Sequence, residues 1–312
     1  MIRNLRFSRE LVLLGVLIAI VLIMAQFSPF FFTLGNLLDT SRYFVEIGLI
    51  ALGMTLIIIT AGIDLSVGAS LALVSVAVGF SFAAGLPLPL ALVLGLLTGL
   101  GAGLFNGLFI TRLDLHPLVV TLGTFALFRG LAYGLSDADA VSSYPAWFAY
   151  FGQAYLGPIP GQLVLFVVAV IVAWVVLSRT SFGRYVYAIG SNEEAARFSG
   201  VPVWRVKLAL YTGIGFLVAL AAIIYTSRVS TARADSGLGL ELDVIAAVVL
   251  GGASIYGGVG TIAGSVLGVL IIATLRNGLV LAGVPSTWQL FLLGILVISA
   301  VFLNEFFRKK EE

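Results

Sequence analysis

The chain has 312 residues, of which 60% are hydrophobic and 10% charged, and a net charge of +2, with a mean hydropathy of +1.14. A water-soluble domain carries about 25% charged residues, and no soluble core of this size hides so much apolar surface, so lipid is the solvent for most of the chain. The charge is too small to point to nucleic acid, and the absence of cysteine excludes disulfides, thiol chemistry and Cys-ligated metal. Thirty-six glycines suit membrane helices whose backbones approach closely.

Runs of about 17 to 25 apolar residues place roughly ten spans: 11–27, 44–60, 67–83, 89–110, 117–135, 162–178, 208–226, 242–256, 261–282 and 288–306. The expected fold is therefore all-α: a polytopic membrane protein of about ten transmembrane helices, one domain over 1–312, with broken helices. Arg3, Arg6 and Arg9 precede the first span as in a signal peptide, but "AQFSPFF" after it offers no small-residue cleavage site, so it reads as an uncleaved helix. Spans two and three lie close enough to form a broken, re-entrant pair, and the eighth is short for a full crossing.

With the amino terminus in the cytoplasm, twelve of the seventeen Lys and Arg residues fall on the cytoplasmic side: Arg3, Arg6, Arg9, Arg112, Arg179, Arg184, Arg197, Arg205, Lys207, Arg308, Lys309 and Lys310. Arg42, Arg228 and Arg233 fall outside, and Arg129 and Arg276 lie in or at the edge of spans. That asymmetry is what the positive-inside rule requires, and it puts both termini in the cytoplasm. The loop 136–161 is then external. It carries Asp137, Asp139, several aromatics and three prolines but no Lys or Arg, which fits a solvated loop better than a docking surface. His116, the one histidine, precedes Pro117 without metal-binding or catalytic partners and reads as structural; Trp204, beside Arg205 and Lys207, reads as an interface anchor.

Two glycine-rich stretches interrupt the apolar pattern. "TAGIDLSVGAS" sets Gly62 and Gly68 around Asp64, Ser66 and Ser70, and "GGASIYGGVG" sets five glycines around Ser254 and Tyr256. Unwound backbone at membrane depth is tolerated only where protein buries it or a watery cavity meets it, and such breaks in corresponding halves point to a translocation pathway. A weak repeat supports two halves: "IDLSVGASLALVS" beside "LDVIAAVVLGGAS", and "NGL" at 106 and again at 277. In the span count Asn106 and Asn277 lie at opposite membrane faces, as inverted repeats require. Candidates for the pathway or its gate are Asp64, Ser66, Asn106, Thr121, Thr124, Ser254 and Asn277, uncharged groups apart from Asp64 and suited to a neutral polyol. Asp64 serves equally well as a helix cap, and most intramembrane hydroxyls and amides simply bond to neighbouring helices. Glu46, Asp64, Arg129, Asp243 and Arg276 are the ionisable groups within or near spans, where charge is costly and tends to pair or face a cavity.

Between spans six and seven, within a cytoplasmic loop of about 179–207, stands "EEAARFSG" at 193–200. Ser191 and Glu194 have capping-box spacing, Glu193 and Glu194 suit the positive end of a helix dipole, Gly200 suits a left-handed stop, and Pro202 prevents continuation. The result is a self-terminated helix over 192–199. A helix this short is unstable alone and must pack on something. Ala195 and Ala196 give a low-profile face, with Arg197 and Phe198 as charge and anchor.

Glu194-Ala195-Ala196, three residues and then Gly200 resembles the EAA-x-x-x-G loop of the membrane subunits of bacterial ATP-binding cassette importers, although the later Leu-Pro part of that loop is absent. "TAGIDLSVGAS", "NGLFITRLDLHPLVVTLGTFALFRGLAYGLS" from 106 and "AAVVLGGASIYGGVGTIAGSVLG" from 246 are similar, in the same order, to segments of the ribose-type permeases, a family that includes permeases for arabinose, xylose, rhamnose and autoinducer-2. The resemblance implies a bacterial inner-membrane permease that binds no cofactor itself. Its implied partners are an ATPase subunit holding ATP and Mg, a second permease subunit of the same or a related chain, and a periplasmic sugar-binding protein. Glu193, Glu194, Ala195, Ala196, Arg197, Phe198 and Gly200 would then couple the chain to the ATPase. "RADSGLGLELD" and "LAGVPSTWQ" resemble rhamnose and autoinducer-2 permeases slightly more than ribose ones.

Other functions fare worse. The chain has no G-x-x-x-x-G-K-[ST] loop, so ATP binding must lie elsewhere. It also lacks H-E-x-x-H, G-x-S-x-G with a histidine, and an intramembrane G-x-G-D beside a second aspartate, the motifs of membrane proteases. A stand-alone channel, a secondary transporter and a permease for branched-chain amino acids remain as alternatives; the self-terminated cytoplasmic helix is what a channel does not need.

Overall fold

A computed structural model describes residues 2–289, 291, 292, 294, 295 and 298. Its helices run α1 Ile2–Met24, α2 Leu34–Ile59, α3 Val67–Ala83, α4 Leu88–Arg112, α5 Pro117–Ser136, α6 Ala149–Gln153, α7 Gly161–Arg179, α8 Ser181–Ser191, α9 Glu193–Phe198, α10 Val203–Val229, α11 Leu240–Leu250 and α12 Ile262–Leu281. The pairs of residues Tyr155–Leu156 (β1) and Ile159–Pro160 (β2) form a small antiparallel ribbon before α7. The rest is helix and connection, the helical bundle that a lipid solvent imposes, since every backbone polar group must be satisfied within its own segment.

Local sequence explains several helix ends. The Thr33 hydroxyl accepts from Asn36 N at the start of α2. His116 is the N-cap of α5, its Nδ1 accepting from Leu118 N at 3.3 Å with Pro117 at the first helical position, which gives the lone histidine its structural task. Arg112, in the last turn of α4, stacks on Trp204 at 4.1 Å, so the end of α4 and the start of α10 share one end of the bundle. Arg42 and Arg228 meet at the other end, tied through Gln153: Arg42 Nη2 donates to Gln153 O, and Gln153 Nε2 donates to Arg228 O.

Among the described residues, six helices are long and apolar enough to cross a bilayer unaided: α2, α4, α5, α7, α10 and α12. The remaining expected spans differ. The apolar part of α1, Glu10–Met24, and α3 are shorter. In place of a span over 242–256, α11 has 11 residues, about 17 Å at 1.5 Å per residue against a hydrocarbon core of about 30 Å. Glycines from Gly251 onward end it where the sequence expectation had let it continue. The tenth expected span, 288–306, and Arg308, Lys309 and Lys310 lie largely or wholly outside the described residues.

The bundle is built on close helix crossings. Gly99, Gly103 and Gly107, spaced by four on α4, face Tyr211, Gly215 and Ala219 on α10, and a Cβ at Gly103 would stand 2.1 Å from Tyr211 O. Without a hydrophobic drive between helices in lipid, this backbone-to-backbone approach supplies the dispersion contact that holds them. A second such crossing joins α11 and α12 through Gly251, Gly264 and Gly268. Helices α2 and α3 carry the longest buried stretches, and Ile57, Ile58 and Ile59 of α2 with Tyr211 and Ile214 of α10 are almost wholly enclosed.

Candidate functional site

The segment carrying "EEAARFSG" forms a six-residue helix, α9. Its N-cap is Asn192, whose Oδ1 accepts from Ala195 N at 2.9 Å. Ser191 instead closes α8, so the expected capping box with Glu194 does not form: the chain needs Ser191 in helical geometry for the preceding helix. The stop is as the sequence indicated. Gly200 has φ of +83°, Val201 N donates to Ala196 O and Gly200 N to Arg197 O, the paired bonds of a Schellman motif.

The two alanines part company. Ala196 is buried against the rest of the chain, whereas Ala195, Glu194, Arg197 and Phe198 are exposed, Phe198 at 85%. Glu193 turns inward, bonding to Lys207 at the start of α10 and to Arg197 at 3.4 Å. It therefore fastens α9 to the bundle, and the free face consists of Glu194, Ala195, Arg197, Phe198 and Gly200.

At its other end this segment touches the second glycine-rich stretch. Gly190, near the end of α8, lies so close to Ile59 O that a Cβ there would stand 2.6 Å from Gly258 N. Gly258 N donates to Ile59 O at 2.9 Å and Tyr187 Oη donates to Gly260 O at 2.7 Å. Thus α8, the end of α2 and the loop 251–261 form one contiguous body. Ser254 belongs to that loop, its backbone N donating to Val259 O. Sequence reasoning missed Gly190 and Tyr187; a small residue facing a glycine loop was the available signal.

Four of the other intramembrane candidates assemble at the start of α3. Asp64 Oδ1 accepts from Ser66 N at 2.8 Å and from Ser66 Oγ at 2.6 Å, Asn106 Nδ2 donates to Ser66 Oγ at 2.9 Å, and Thr121 Oγ1 donates to Ile63 O at 3.2 Å. Thr124 stands one turn along, donating to Thr121 O. All five are buried. The geometry is that of a knot tying the unwound residues 60–66 to α4 and α5, with Asp64 turning the chain into α3. Asp64→Ala is expected to cost about 1–3 kcal/mol, the price of leaving buried donors unsatisfied, read as a lowered Tm in detergent; an unchanged Tm would deny the knot its role. Arg129 anchors a second irregular stretch, Nη1 donating to Ala234 O at 2.7 Å and Ser236 O at 2.8 Å.

Asn277 is elsewhere. It exchanges amide hydrogen bonds with Asn36 at 3.0 and 2.8 Å, beside the start of α2, while Asn106 sits near the other end of α2. Between them, α2, α10, α11 and α12 enclose a cavity of about 640 Å³. On its wall Glu46 receives Arg228 Nε at 2.8 Å and Nη2 at 3.0 Å, and Asp243 receives Arg276 Nη2 at 2.6 Å. Three of the ionisable groups flagged by sequence, Glu46, Asp243 and Arg276, thus meet one space, joined by Arg228, which the span count had left outside. Asp235, between helices on the same cavity, is gripped by Arg233 at 2.8 and 2.7 Å, and these hydrogen bonds hold its carboxyl below the ordinary aspartate value.

A family described as branched-chain amino acid transport system / permease component matches residues 36–301. The chain belongs to this permease family. The permease is 45% identical over 296 residues to the ribose import permease of Bacillus subtilis (strain 168), covering 94% of this chain and 91% of the relative. It is 37% identical over 304 residues to the autoinducer 2 import system permease of Escherichia coli (strain K12), covering 96% and 92%. No solved structure matches the chain. The permease is a multi-pass membrane protein and, as a permease component, is not itself an enzyme.

Proposed function

We propose that the permease is the membrane-spanning subunit of an ATP-binding cassette importer that passes a neutral monosaccharide or related small polyol through the bacterial inner membrane. The observation that carries this reading is α9, a short helix stopped at both ends and pinned by Glu193 to Lys207, which presents Phe198 at 85% exposure. An apolar ring held out on a rigid, polar-rimmed helix suits a cleft in a partner protein. The near full-length relatives, a ribose and an autoinducer-2 permease, support the substrate class. The chain acts as one transmembrane domain over 1–312, with roughly ten membrane passages arranged as inverted halves and both termini in the cytoplasm. The shared location of Arg112 and Trp204 at the end bearing α8 and α9 supports that orientation.

Two permease copies, of this chain or a related one, enclose the path. ATP and Mg belong to the ATPase subunit, and a periplasmic sugar-binding protein delivers the substrate. Movement of the ATPase enters through α9 and reaches the end of α2 and the loop 251–261 through the Gly190 contact. Asp64, Ser66, Asn106, Thr121 and Thr124 serve as the hinge of the path and Asn277 as part of its lining.

The experiment is purification of the tagged permease in mild detergent from membranes that also hold its ATPase, with ATP hydrolysis assayed in the eluate. The wild-type chain is expected to retain the ATPase. Glu194→Lys, which reverses a charge on the free face, and Gly200→Pro, which a φ of +83° forbids, are expected to lose it while the permease still folds and elutes as before. Retention of the ATPase by both variants would overturn the docking role of α9.

A further inference from the structure

We propose that the groove between α2, α7 and α10 seats one acyl chain of an anionic phospholipid, whose phosphate is held at the basic end formed by α7, α8 and α10. The inference goes beyond the importer reading and does not depend on which solute the permease carries.

The groove has a volume of about 440 Å³ and is lined wholly by Gly, Ala, Val, Leu, Ile and Phe, with no hydroxyl, amide or charged side chain. It opens outward, since Val168 and Val172 on α7 are 55% and 56% exposed and Phe216 on α10 is 40% exposed. Its α10 wall is the row Ala209, Gly213, Phe216 and Leu220, and Gly213 leaves a notch there, because a Cβ at that position meets nothing within 4 Å. The row rises about 17 Å at 1.5 Å per residue, close to half of a hydrocarbon core of about 30 Å. Beyond Leu220 the same row continues to Ile224 and Arg228, where α6 shuts it: a Cβ at Gly152 would stand 2.3 Å from Arg228 N and 2.8 Å from Ile224 O. A transmembrane helix, about 10 Å across and as long as the whole core, overruns a groove closed halfway. A single chain from one leaflet fits it, and an empty groove would forfeit dispersion contact along its walls.

The open end of the groove is basic. Phe182, at the start of α8, borders both the groove and a smaller cavity of about 210 Å³ lined by Ser181, Tyr185, Pro202, Arg205 and Val206. Arg205 stands one turn before Ala209 on the row just described, and Arg179 about one turn after Val176, the last α7 residue on the groove wall. Arg179, Arg184 and Arg205 are all exposed. Arg179 lies over Trp174 at 5.3 Å and Arg205 over Trp204 at 5.2 Å, so aromatic rings rather than carboxylates hold them. Helices α7, α8 and α10 contain no Asp or Glu; Glu193 is taken by Lys207 and Arg197, and Glu194 stands on the free face of α9. Helix α8 is amphipathic, with Val186 and Ile189 buried and Arg184 and Tyr185 exposed, the form of a helix lying at a membrane surface. Guanidiniums at headgroup level bind phosphate through paired N–H groups, and the Ser181 hydroxyl adds a donor. A zwitterionic headgroup would bring its own cation against these arginines, which is why an anionic lipid suits the site.

The test is native mass spectrometry of the full-length permease, delipidated in detergent and titrated with palmitoyl-oleoyl phosphatidylglycerol or, separately, with palmitoyl-oleoyl phosphatidylcholine. Wild type is expected to hold one phosphatidylglycerol per chain, at least about fivefold tighter than phosphatidylcholine, the effect of about one basic group at an anionic headgroup. Gly213→Leu puts a side chain into the open notch and is expected to lose that tight lipid while eluting as wild type does. Gly101→Leu, a glycine with equal room on α4, is expected to keep it. Arg205→Glu, at the exposed rim, is expected to bind the two lipids alike. Wild type that holds neither lipid or shows no preference between them would overturn the site, as would equal retention of phosphatidylglycerol by wild type and Gly213→Leu. Gly213→Leu that keeps its lipid but separates two permease copies would also overturn it and give the groove to the second copy.

Discussion

Gly103→Val is expected to lose the folded permease from detergent extracts, whereas Gly101→Val, two residues away on the same helix, is expected to behave as wild type. A Cβ at Gly103 would stand 2.1 Å from Tyr211 O and 3.0 Å from Gly215 Cα, while one at Gly101 meets nothing within 4 Å. The atoms in the way at Gly103 belong to backbone, which has no rotamer to change, so α4 and α10 must separate. Overpacking typically costs about 1–3 kcal/mol and more when backbone must move, and the two helices forced apart here form one of the glycine-lined seams on which the bundle is built. The measurement is fluorescence-detected size-exclusion of the tagged chain with a thermal challenge. Equal Tm and yield for the two variants would reject the seam as a source of stability.

Breaking the pair Glu46–Arg228 at one partner is expected to be the most costly polar substitution in the permease. Glu46 is 3% exposed and receives two guanidinium bonds, at 2.8 and 3.0 Å. Removing either side strands the other in a low-dielectric setting, a loss of about 3–5 kcal/mol, whereas replacing both with apolar groups of similar size is often close to neutral. Glu46→Leu and Arg228→Met are therefore each expected to lower Tm sharply, and the double variant to recover most of the loss. Additive losses would show that the two groups contribute independently.

These expectations draw unequally on sequence and on structure. The Schellman stop of α9 was legible because glycine followed by Val-Pro has few other meanings, and a structural task for His116 was legible from its place before Pro117, although its capping of α5 was shown only by the structure. The cap of α9 was not, since Ser191 and Asn192 are both good caps and only the packing of α8 decides which residue leaves the helix first. Likewise Ala195 and Ala196 are indistinguishable as letters. The direction in which α9 lies on α10 buries one and exposes the other, and the same direction turns Glu193 onto Lys207 while leaving Glu194 free.

The seven intramembrane candidates divide in the same way. Asp64, Ser66 and Asn106 are joined by hydrogen bonds across 40 residues of sequence, and Asn277 joins Asn36 across 241. Neither partnership is written in local pattern, because a polar residue in an apolar run declares that it needs a partner without saying which. Composition and apolar run lengths alone determined that this protein lives in lipid as a helical bundle, because backbone groups there are satisfied only in helices or closed barrels and runs of about 20 apolar residues suit helices. The stop of α9 was likewise set by adjacent residues. The tertiary structure decided how long α11 runs, which acid meets which base, and where a polar cavity opens, since each depends on helices brought together from distant parts of the chain.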